Sequence, residues 1–116
     1  MTRRITDHAG QLISSPIWVS FQDGEDARGY LRLDFPGTQE SLRRGNVQLY
    51  GGKQVILFEK NVGMGARFDD AVTLAVIEFD SGAGAFFAKD WKPTTNFRDL
   101  DPVDQAAYVS YFEKHQ

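Results

Sequence analysis

Few residues in this chain could do chemistry, and their spacing argues against most of the reactions open to such residues. His8 and His115 are the only histidines. Both lie near the chain ends, where a general base is hardest to hold in a fixed geometry. Gly63-Met64-Gly65-Ala66-Arg67-Phe68 has the first two glycines of a dinucleotide loop. Phe68 stands where the third belongs, and the residues after it read as a strand, so the helix N-terminus that would hold a pyrophosphate is missing. Gly51-Gly52-Lys53 lacks both the spacing and the hydroxyl of a phosphate loop. Asp69-Asp70 and the set Asp99, Asp101 and Asp104 offer hard oxygen ligands, but neither follows a calcium-loop pattern. The chain has no cysteine, which excludes disulfides, thiolate catalysis and cysteine-held zinc. No serine sits in a nucleophile-elbow sequence. No catalytic residue, cofactor or metal is assigned, and the expectation is a protein that is not an enzyme.

Binding chemistry is better represented. Trp91, Phe97, Trp18 and Tyr50 are the aromatics least committed to a core, and Trp and Tyr dominate the energetics of many protein interfaces. Residues 1–67 hold nine Lys/Arg against seven Asp/Glu, and residues 68–116 hold four against nine, so the two parts carry +2 and −5 of the net −3. The leading expectation is a small cytoplasmic protein that binds another protein, as an inhibitor, immunity or counter-defence factor, or accessory subunit. Trp91 and Phe97 would anchor it, with Asp69, Asp70, Asp99 and Asp101 facing a basic partner surface. A homodimer is a variant of the same idea. The alternative is a nucleic-acid module that uses Arg43, Arg44, Tyr50 and Lys53 as a basic and aromatic platform, against which the acidic C-terminal part argues. A third class is a small-ligand carrier or an enzyme with a pocket between sheet and helix.

These residues must be positioned by one core. A chain of 116 residues and 13.1 kDa buries roughly two thirds of its unfolded surface, which predicts a single domain over 1–116, with 1–16 as an N-terminal arm closed by Ser14-Ser15-Pro16. No apolar run approaches the ~18 residues that span a bilayer. The first twenty residues carry Arg3, Arg4, Asp7, His8, Gln11 and Ser14 where a secretion signal would be apolar.

Alternation of Ile17, Val19 and Phe21, and of Leu31, Leu33 and Phe35, predicts a hairpin over 17–35 around the charged turn Asp23-Gly24-Glu25-Asp26. Pro36-Gly37 stops it, and a short helix is expected near 38–44, capped by Thr38 and ended by Gly45-Asn46. Gly51-Gly52 predicts a second hairpin over 47–58, pairing Leu49 with Gln54 and Val47 with Ile56. The longest pattern, 72–91, predicts a third, turning at Ser81–Gly84, with Phe79 opposite Phe86, Ile77 opposite Ala88 and Leu74 opposite Trp91. The Phe79–Phe86 pair is worth ~0.5 to 1 kcal/mol. Both faces of this hairpin are apolar, so either the chain covers both or one awaits a partner. Asp101, Pro102 and Asp104 open a helix over 102–114 that packs on one face. The expected fold is α+β, with an antiparallel sheet of about five or six strands and two helices.

Overall fold

The computed structural model describes residues 4–59, 70–91 and 96–115; the glycine motif at 63–68 and Asp69 lie outside them. The chain forms β1 (Ile17–Trp18), β2 (Leu31–Arg32), α1 (Pro36–Arg44), β3 (Gln54–Glu59), β4 (Ala71–Asp80), β5 (Ala85–Lys89), a 3-10 turn at Phe97–Asp99 and α2 (Pro102–Lys114). The class is α+β, as expected. The sheet is mixed: its order is β1-β3-β4-β5-β2, and β1 runs parallel to β3 while the other neighbours are antiparallel.

The third hairpin forms in the expected register, with Phe79 beside Phe86 and Ile77 beside Ala88 around a loop at 81–84. Its far end departs from expectation. Pairing stops at Val76 and Lys89, and Asp90 takes a φ of +60°. That left-handed residue breaks the strand alternation, so Trp91 leaves Leu74 and joins the cluster on the opposite face.

The other two hairpins do not form. β1 and β2 lie at opposite edges of the sheet, against β3 and β5. Period-2 alternation gives the buried face of a strand but not its neighbour: Ile17, Val19, Leu31 and Leu33 do share one buried cluster, reached from two edges of a curled sheet. The chain between them folds back early, where Asp26 N–H donates to the Tyr30 carbonyl and Glu25 bridges to Leu31. At Gly51-Gly52 a turn is present: Lys53 N–H reaches the Tyr50 carbonyl at 3.2 Å, and Gly52 has a φ of +91°. Val47–Tyr50 cannot pair with β3, because β3 is an interior strand with β1 on one side and β4 on the other. Val47 and Leu49 instead pack side-on against the first cluster.

Two apolar layers result. Val55, Leu57, Ala75, Ile77 and Ala88 line one face together with the β1 and β2 residues. Ile56, Phe58, Val72 and Leu74 line the other, and there α2 and the N-terminal segment cover them with Tyr108, Phe112 and Ile5. The two-sided hydrophobicity of the hairpin is thus largely met within the chain. Helix α1 begins two residues before the expected cap, with Phe35 as N-cap and Pro36 pre-set for the first turn. Thr38 is therefore inside the helix and buried, and its Oγ1 has no hydrogen-bond partner among the described residues.

Candidate functional site

The residues expected to anchor a protein partner are distributed by the fold into different roles. Trp91 is half-buried: its indole N–H donates to the Gly29 carbonyl at 2.7 Å, and its ring lies 5.3 Å from that of Phe21. It closes the rim of the first cluster and is not a free anchor. Phe97 packs on Tyr108, with ring centroids 5.7 Å apart, in the second cluster.

Among the acids, Asp70 is only 4% exposed and its carboxylate accepts the Tyr108 hydroxyl at 2.6 Å. Burial and this carboxylate both push the Tyr108 phenol far above its ordinary pKa, since each penalises the phenolate. Asp99 closes a capping box with Asn96, accepting the Asn96 N–H at 3.3 Å. Asp101 is the exposed N-cap of α2, 3.7 Å from the Arg4 guanidinium. Asp104, read from the sequence as a first-turn charge, is 1% exposed and accepts both the Ile5 N–H, at 3.1 Å, and the Thr6 hydroxyl. It fastens the N-terminal segment to α2.

The basic set fares similarly. Arg43 and Arg44 both reach Glu40, one turn back on α1. The Arg43 hydrogen bond, with the nearby charges, holds the Glu40 carboxyl below its ordinary range. Lys53 donates to the Gln48 carbonyl at 2.8 Å and lies 5.3 Å from the Tyr50 ring centre. Arg43 and Arg44 thus sit on α1 and Tyr50 and Lys53 on the glycine turn, each pair with its own partners.

Among the described residues a cleft of about 730 Å³ lies between α1, the 46–49 segment and the end of the β4–β5 hairpin. Leu33, Leu42, Val47, Leu49 and Phe86 give it an apolar lining, and Glu40 and Arg43 stand among its polar residues. Phe79 packs edge-on against Phe86, with ring centroids 5.1 Å apart and planes at 67°, yet it is 50% exposed. Tyr50, on the turn that ends beside Ile77, is 60% exposed. Against known protein families, characterised proteins and solved structures, the chain has no match. The reading of this surface therefore rests on its own chemistry.

The Phe79–Phe86 pair was visible in the sequence as a cross-strand contact, but its place at an open surface was not. That place follows from β3 starting only at Gln54, opposite Val76, so that no third strand shelters the hairpin end. The cleft itself depends on Val47 and Leu49 not forming a strand, which nothing in their alternation reveals.

Proposed function

We propose that this protein acts by binding another protein, as an inhibitor, immunity factor or accessory subunit, through the hairpin end and the adjoining cleft. The observation that carries this reading is the half-exposed Phe79, packed on a Phe86 that itself lines the cleft. An aromatic held in place by a neighbour pays little ordering entropy when a partner covers it, which is the character of an interface anchor. Trp91 and Phe97 serve as internal supports in this reading, and Asp99 and Asp101, near Asn96 and its bridge to the start of β4, lie away from the hairpin end. For the nucleic-acid alternative no specific observation speaks, since Arg43 and Arg44 are already paired with Glu40.

The test compares tagged wild type with Phe79→Asp in capture from native lysate, with thermal melting as the control. Phe79→Asp should lose a protein that wild type retains, while its melting temperature stays close to that of wild type. An unchanged set of captured proteins at full stability would defeat the proposal.

A further inference from the structure

Strand backbone that lacks a neighbour strand is capped at several places in this fold. At the β1 edge, Trp18 N–H donates to Ser41 Oγ at 2.9 Å, and Ile56 N–H on β3 donates to Ser14 Oγ at 3.0 Å. At the β2 edge, Arg32 N–H donates to the Gly24 carbonyl at 3.1 Å. The end of β4 differs. Its pairing with β3 ends at Val76, but the strand continues to Asp80. Ile77 is still covered, its N–H donating to the Lys53 carbonyl at 2.8 Å and its carbonyl accepting from Gly52 N–H at 2.7 Å. Alternation along an antiparallel strand turns the N–H and carbonyl of Phe79 to that same side. There the chain bends away, and a Cβ built on Gly51 or Gly52 would meet no atom within 4 Å. Phe79, half exposed, borders the gap, and Tyr50, also exposed, opens the turn whose Gly52 and Lys53 hold Ile77.

We propose that this overhang of β4 takes up an extended segment of the partner as an added strand, an inference that rests on the protein-binding reading above. Unpaired strand groups select an extended backbone, and the residue at the edge selects the facing side chain. Here Phe79 selects an apolar residue. Glu78 and Asp80 flank it on the opposite face, where Lys89 and Arg28 already neutralise them, so the residues on either side of the apolar one need carry no charge. A second copy of this chain fits poorly: antiparallel pairing centred on Phe79 would set Glu78 of one copy against Asp80 of the other, and like charges directly opposite are destabilising.

The experiment selects a displayed library of random peptides on wild-type protein, with counter-selection on Phe79→Asp and with Phe79→Ser as a second, uncharged variant. Both variants are first checked for folding by circular dichroism. The enriched peptide is then the probe, and amide hydrogen exchange at Phe79 is read by NMR with and without it. Strand addition predicts sequences with an apolar residue at the position facing Phe79, slowed exchange at Phe79, and about tenfold weaker binding when that facing residue is N-methylated. Enriched peptides that shift Leu42, Val47, Leu49 and Phe86 while Phe79 exchanges freely would overturn strand addition and leave the binding reading standing. No enrichment over the counter-selection would overturn both. Concentration-dependent protection of Phe79 in the protein alone would overturn the hetero-partner in favour of a second copy.

Discussion

Tyr108 and Asp70 form the most consequential contact of single side chains, because a buried carboxylate depends on every donor it has. Tyr108→Phe keeps the ring among Phe58, Phe97 and Phe112 and removes only the hydroxyl. It should cost about 1.5 to 3 kcal/mol in urea unfolding, the range for a hydrogen bond to a charged group. The same pair sets an alkaline limit. The folded phenol pKa is raised above the ordinary value near 10, so the contribution of the neutral phenol is fully present below about pH 10. Above that, the unfolded chain ionises first and stability falls by about 1.4 kcal/mol per pH unit. The difference in stability between wild type and Tyr108→Phe, followed from pH 9 upward, should narrow on this slope (pH 9 being roughly one unit below the ordinary tyrosine value). Trp91 makes a second residue-scale case. Trp91→Ala removes the contact with Phe21 and leaves the Gly29 carbonyl without its donor, so it should lose about 2 to 4 kcal/mol of stability. Loss of binding at unchanged stability would return Trp91 to the role of anchor.

Elements in this fold approach closely at Gly37, against Trp18, and more closely still at Gly45. Gly45 ends α1 with a φ of −86°, which any residue can adopt. A Cβ there would lie 2.6 Å from the Cβ of Ser15 and 3.0 Å from the Tyr111 hydroxyl. Gly45→Ala should therefore destabilise through contact alone, by about 1 to 3 kcal/mol in chemical denaturation; a neutral result would mean that the N-terminal segment and α2 can move apart freely. The elements differ in how far they could be read from sequence. The Pro102 helix and the Phe79–Phe86 hairpin were legible because their signals are local: a proline after a capping aspartate, and two apolar runs around a glycine-containing turn. β1 and β2 were legible only as strands. Their partners lie far along the chain, and Ile17 and Leu31 alternate in the same way whichever neighbour they take. Asp104 does stand in the first turn of α2 as read, but its burial and that of Asp70 were missed for a related reason, since an acidic residue in a sequence does not announce that a tyrosine or a backbone N–H will bury it. The exposure of Phe79 was hidden because shelter at the hairpin end depends on where β3 stops.

At the scale of the whole molecule, the N-terminal segment belongs to the second core layer, with Ile5 buried beside Leu100 and Tyr108. Asp104 is its fastening. Asp104→Ala should remove two hydrogen bonds from a charged acceptor, cost about 2 to 4 kcal/mol, and accelerate tryptic cleavage after Arg4 well before the rest of the chain unfolds. Equal cleavage rates in variant and wild type would show that apolar packing alone holds the segment.

The strand order carries a consequence for how the protein is made. β1 and β2 precede their sheet neighbours in the chain: β1 pairs with β3, and β2 must wait for β5, which ends at Lys89. A nascent chain can seat β1 once β3 is made, but until Lys89 it holds β2 without its neighbour strand. The meander of β3, β4 and β5, joined by the shortest connections, is where structure can begin, and the two early strands then close on it from either side. A chain interrupted before Lys89 is left with β2 without its neighbour strand and an apolar cluster open, which makes the interval before β5 is complete the one in which this protein is most exposed to aggregation.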